Sequence, residues 1–108
     1  MSLYAKYLAE RTDKKILETE KGFATYYYVN DGCWIEDLFV LPDFRHEHVA
    51  SQIADEIALK AKEDGCKYLY GTICPTAKNS TDGLKVLLAY GFKLDSCINN
   101  FIAFKKEL

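Results

Sequence analysis

Apolar residues recur along this chain with two periods, and the switches between them outline its elements. From Leu3 to Arg11, the residues Leu3, Tyr4, Tyr7 and Leu8 follow helical spacing, which ends near Thr12-Asp13. Lys15 to Glu18 predicts a short strand. Lys21-Gly22 predicts a turn, and Phe23 to Val29 a β-rich strand carrying Tyr26-Tyr27-Tyr28. Asn30-Asp31-Gly32, three residues that accept positive φ, predict a tight hairpin into a strand from Cys33 to Val40. Pro42 has no N–H to donate and ends the pairing. Val49, Ile53 and Ile57 recur four apart beside Ala50, Ala54, Ala58 and Ala61, which predicts an amphipathic helix from about Arg45 to Glu63. Asp64-Gly65 is its C-cap signal. A strand follows over Lys67 to Cys74 and stops at Pro75. A shorter helix opens on Asn79-Ser80-Thr81-Asp82, with Ser80 or Asn79 as N-cap, and runs to about Tyr90. Gly91 turns into a strand over Phe92 to Leu94, and Ile98 to Phe104 closes the chain as another.

Tight turns make the early strands antiparallel. The long helical crossover makes the strands of Cys33–Val40 and Lys67–Cys74 parallel neighbours. The fold class is therefore α/β (α+β): a mixed, mainly antiparallel sheet with helices on its faces. The length, 108 residues with no linker or repeat, gives one domain over residues 1–108.

Composition narrows the function classes. Hydrophobic residues make up 49% and charged residues 28%, with a net charge of -2 and no basic stripe, so nucleic acid is not an expected partner. No run of about 18 apolar residues predicts a membrane span. The start, Met1-Ser2-Leu3-Tyr4, lacks the layout of a secretory signal, and a cytoplasmic location is expected. Cys33, Cys66, Cys74 and Cys97 form no CxxC pair and read as reduced thiols, three of them buried.

The junction "LPDFRHEHVA", residues 41–50, carries the candidate chemistry. Ligands tend to sit beyond the carboxyl end of a strand in a strand–helix–strand unit, where helix amides lack partners and the macrodipole is positive. Arg45 at that helix start is unfavourable unless an anion joins it. On the residues alone, two readings stand: an anion site, or an ordinary start at which Arg45 lies in solvent or pairs with Asp43. His46 and His48, two apart on a helix, point to different sides, and no metal is expected.

"IEDLFVLPDFRHEHVASQIADEI" followed by "NSTDGLKVLLAYGF" resembles the GNAT superfamily of acetyl-CoA-dependent N-acetyltransferases. Members carry a strand ending in Val-x-Pro-x-x-Arg, then Arg-x-x-Gly-x-Gly/Ala entering a long helix, and later a short helix closing in Gly-Phe. Here these read Val40 to Arg45, Arg45 to Ala50, and Gly91-Phe92. The match covers roughly residues 15 to 104, and "IEDLFV" is most similar to the diamine acetyltransferase branch. The resemblance implies acetyl-CoA as co-substrate. Backbone amides of Arg45, His46, Glu47, His48, Val49 and Ala50 would hold its pyrophosphate. Leu38, Phe39 and Val40 would pair with its pantetheine arm, and the thioester would lie between the strands of Val40 and Tyr70. An amine would attack the thioester, a base would take its proton, and an acid would protonate the leaving thiolate.

Three departures qualify the resemblance. His48 stands where the family has glycine, and its imidazole would either crowd the phosphates or pair with them. Helical φ is open to histidine, so its N–H is expected in place. The family's thiolate-acid tyrosine aligns with Leu87, which leaves Tyr90, Tyr70 or Tyr68 as substitutes. The usual first strand and helix are missing, and a second subunit in a homodimer is expected to wall the acceptor site and cover an edge strand. Glu36 and Asp37, adjacent in a strand and so facing opposite sides, are the candidate amine-binding acids and base; in the diamine-acetylating relatives this pair helps bind the acceptor. The alternative is that they reach solvent or pair with a lysine. Tyr26-Tyr27-Tyr28 is either an aromatic wall or strand packing. Asn79 and Ser80 are caps first, and the family's pantetheine-contacting asparagine aligns with Ser80.

Three functions follow. One is transfer of acetyl from acetyl-CoA to a primary amine of a small molecule or protein. The second is a degenerate GNAT domain acting as a binding or structural module. The third is a nucleotide or phosphate-metabolite site at the same helix start.

Overall fold

A computed structural model describes residues 2–74, 76 and 80–108. Helix α1 (Leu3–Arg11) is capped by Ser2, whose Oγ accepts from the Ala5 N–H at 3.0 Å. Strands β1 (Lys15–Glu18), β2 (Gly22–Val29) and β3 (Gly32–Val40) follow, then one 3₁₀ turn (Pro42–Phe44) and helix α2 (Val49–Glu63). Strand β4 (Tyr68–Ile73), helix α3 (Ser80–Tyr90), and strands β5 (Lys93–Ile98) and β6 (Phe101–Glu107) complete the chain.

The strands form one sheet in the order β1-β2-β3-β4-β6-β5, antiparallel except for the β3–β4 pair, which is parallel as the crossover requires. Alternation assigns its faces. Ala24, Tyr26, Cys33 and Leu69 face α2 and build the core with Val49, Ile53, Ile57 and Ala61. Phe23, on the other face, meets Tyr4 of α1 edge-on at 6.3 Å. Helices thus cover both faces, with α1 on one, and α2 and α3 on the other.

Several boundaries differ from the sequence reading. Helix α2 begins at Val49 rather than near Arg45, because His46 and His48 adopt left-handed φ of 65° and 63° that no helix continues. The final strand begins at Phe101, not Ile98: Asn99, at φ 56°, makes a turn with Asn100, and β5 extends to Ile98. Of the cysteines, two rather than three are buried, Cys33 and Cys66, while Cys74 is half-buried and Cys97 exposed. Burial, reinforced by the neighbouring Cys66, pushes the Cys33 thiol up to about 12, so it stays protonated.

Trp34 and Tyr70, opposite one another on β3 and β4, stack at 4.3 Å with planes 8° apart. The Tyr70 ring leans over Gly32, where an added Cβ would sit 2.6 Å from Tyr70 Cε2. Gly32→Ala is therefore expected to push that ring off Trp34 and to destabilise the fold by about 1–3 kcal/mol. Urea unfolding followed by fluorescence of Trp34, the chain's one tryptophan, reads both effects. An unchanged midpoint and an unchanged spectrum would show that the ring's position does not depend on Gly32.

Candidate functional site

The sheet opens at a defined point. Strands β3 and β4 pair from Gly32↔Tyr68 to Ile35↔Gly71 and no further. Beyond it, β3 stays with β2 as far as Val40↔Gly22, and β4 stays with β6 as far as Ile73↔Ile102. The two halves of the sheet part there, leaving the β4-facing edge of β3 open along Glu36 to Val40.

A bulge sits where the opening begins. Tyr26 pairs with Ile35 and Thr25 with Asp37, so Glu36 is the extra residue in β3. Strict alternation would send Glu36 and Asp37 to opposite faces; the bulge turns both toward the α1 face. Asp37 Oδ2 accepts from the Thr25 hydroxyl, and its N–H donates to the same oxygen, both at 3.2 Å. Glu36 meets Lys14 Nζ at 2.7 Å. This Glu36–Lys14 ion pair is one of the arrangements the sequence allowed for. The partners Lys14 and Thr25 could not be named from sequence, because they depend on strand register across the bulge.

The open edge leads directly into the Arg45–Ala50 junction. Arg45 is neither free nor paired with Asp43: its Nε donates to the Val40 carbonyl at 3.0 Å, and its guanidinium lies 5.7 Å from the centre of the Phe39 ring. The first α2 bond closing on the helix itself is Gln52 N–H to the His48 carbonyl, and no side chain caps the helix. The Val49, Ala50 and Ser51 amides therefore point out of the helix start without intrahelical partners. His48 stands at the N-cap with φ 63° and ψ 17°, so the expectation of helical φ there fails. This is the left-handed region in which glycine carries no Cβ penalty. His46 and Glu47 lie exposed in the same turn. Leu38 and Phe39 are partly exposed beside the opening, and Val40 is buried.

The remaining candidates divide. Leu87 packs against Gly71, whose added Cβ would lie 2.9 Å from Leu87 Cδ2, so an apolar side chain fills the helix position nearest the last β3–β4 pair. Tyr90 turns away from the opening and donates to Asp55 Oδ1 of α2 at 2.5 Å. Burial, then that bond and the Asp55 charge, raise the Tyr90 pKa, which holds its proton more firmly. Tyr70 is in the Trp34 stack, and the Tyr68 ring lies 3.9 Å from Lys105 Nζ. Tyr26 and Tyr28 face the α2 side, where Tyr28 donates to Asp64 at 2.7 Å; of the triple, Tyr27 alone faces the α1 side. Ser80 is the first residue of α3, and Asn79 lies outside the described residues. Among the described residues no three potential metal ligands converge.

Comparison with known proteins gives this geometry its family. A sequence model of the GNAT acetyltransferase family matches residues 7–83. The PaiA N-acetyltransferase of Thermoplasma acidophilum, solved in complex with coenzyme A, is 14% identical over 95% of this chain with a TM-score of 0.79. The chain spans 66% of that protein's length. A GNAT acetyltransferase from Elizabethkingia anophelis with acetyl-CoA bound is 20% identical, covering 98% of this chain and 82% of its own, with a TM-score of 0.73. An acetyltransferase from Thermus thermophilus is 14% identical, covering 95% and 70%, with a TM-score of 0.77. No curated protein sequence matches. The structural neighbours share the fold, and the family model covers well over half of the residues: the chain belongs to the GNAT family of acetyltransferases.

Proposed function

We propose that the chain transfers an acetyl group from acetyl-CoA to a primary amine. The observation that carries this reading is the open β3 edge running from the Glu36 bulge into a turn with unpartnered helix amides. An extended pantetheine arm can add to that edge as a strand would, and the Val49–Ser51 amides with the helix dipole favour a pyrophosphate at the end of it. The thioester then lies at the bulge, with Glu36 and Asp37 on the α1 face. These acids hold the acceptor's ammonium and take its proton. The amine attacks the thioester carbonyl, the tetrahedral intermediate collapses, and the CoA thiolate leaves. With Leu87 against Gly71 and the Tyr90 hydroxyl on Asp55, helix α3 offers the leaving thiolate no acid, a form of help worth about 10²–10⁴ in rate. A second copy of the chain walls the acceptor side in this reading.

A second reading, a GNAT domain that has lost acetyl-CoA binding and acts as a binding module, draws on His48 in glycine's conformation and on Leu87. Calorimetric titration with acetyl-CoA separates the two. The first reading expects binding that Arg45→Glu abolishes, followed by free thiol release when amines are added. An absence of heat at millimolar ligand leaves the second standing.

His48→Gly relieves about 1–2 kcal/mol of left-handed strain against about 0.5–1 kcal/mol of added chain entropy. The variant should be more stable by about 1 kcal/mol in urea and should bind acetyl-CoA more tightly. Weaker binding would instead mark the imidazole as a phosphate ligand. Tyr90→Phe should cost at most about 1 kcal/mol of stability, as loss of one exposed hydrogen bond does, and leave turnover unaltered. A large fall in kcat would return Tyr90 to the chemistry.

A further inference from the structure

The acceptor face carries a cation of its own. Lys14, in the link between α1 and β1, places Nζ 2.7 Å and 3.0 Å from the two Glu36 carboxylate oxygens. The hydrogen bond to Glu36 is the main cause that raises the Lys14 pKa; Asp37 and Tyr4 add to it, while burial works the other way. Lys14 is therefore an ammonium, and it lies within the field of both acids. Asp37 has a neutral partner, the Thr25 hydroxyl. Glu36, Asp37 and Lys14 together leave one negative charge to offer an acceptor.

We propose that Lys14 determines acceptor specificity: by holding Glu36 as an internal counter-ion it leaves Asp37 as the carboxylate for an acceptor's ammonium, selecting singly charged amines over diamines. This rests on the acetyl-transfer reading above. A monoamine's single ammonium is matched by Asp37. A diamine brings a second ammonium, which finds Glu36 already neutralised and meets Lys14 as a like charge. The Lys14 and Glu36 side chains are 37% and 39% exposed, so the pair is open to exchange and its effect is graded rather than absolute. Lys14 acts through Glu36 and touches neither thioester nor attacking nitrogen, which makes it a positioning residue.

The test compares butylamine with butane-1,4-diamine in the wild type, Lys14→Met and Lys14→Arg. Lys14→Met should lower KM for the diamine about two- to fivefold relative to the monoamine, the range expected of an exposed ion pair, with kcat little changed. Added salt should shrink that difference, and Lys14→Arg should behave as the wild type. Equal changes for the two amines, or a KM that rises for both, would overturn the proposal. A binding readout without acetyl-CoA keeps it separate from turnover: the Glu36 and Asp37 amide resonances, titrated with each amine, should show the same order of preference. Resonances that follow amine charge in proteins that release no thiol would sink acetyl transfer and leave the role of Lys14 standing. Thiol release with no charge preference in either measurement would do the reverse.

Discussion

The end of pairing between Ile35 and Gly71 is the constraint on which the rest depends. A parallel pair that continued to Val40 would close the sheet and give β3 no free edge. Because it stops, two three-stranded halves that are joined by four residue pairs part beyond one row, Ile35↔Gly71. Two local devices hold that row. The bulge at Glu36 twists β3 out of register, and the Trp34–Tyr70 stack clamps the strands just before they separate. The opening is thus built by sequence placed at its base, while its rim is left free.

Local polar contacts follow from the same bulge. With Glu36 and Asp37 on one face, each needs a partner there, and Lys14 and Thr25 supply them from different elements. Thr25 is the one buried polar side chain among the described residues' core, and its hydroxyl both donates to and accepts from Asp37. The carboxylate is thereby fixed rather than left to wander in solvent. At the far end of the opening, Arg45 ties the last β3 carbonyl to the turn that leads into α2.

Much of this architecture was legible in the chain. Period-four apolar residues marked α2, and Asn30-Asp31 gave the hairpin, because each signal is local. The parallel β3–β4 neighbours followed from the length of the crossover. The turn at Asn99-Asn100 has a local signal too, a pair of residues tolerant of positive φ, although the strand pattern from Ile98 runs across it. The left-handed pair His46 and His48 could not be read, since glycine is the residue that normally signals such a turn. Nor could the bulge: one extra residue in a strand has no signature of its own until the partner strand's register is known. Lys14 meeting Glu36 across 22 positions is a consequence of that register.

The outer strands carry a consequence for how the molecules behave in crowded solution. β1 has four residues, and β5 is bulged between Leu94 and Ser96, where Asp95 adds a charge. A strand so short exposes few unpaired amides, and a kinked, charged one presents them out of line. Neither margin is a good template for another chain, so the sheet resists growing end to end into filaments.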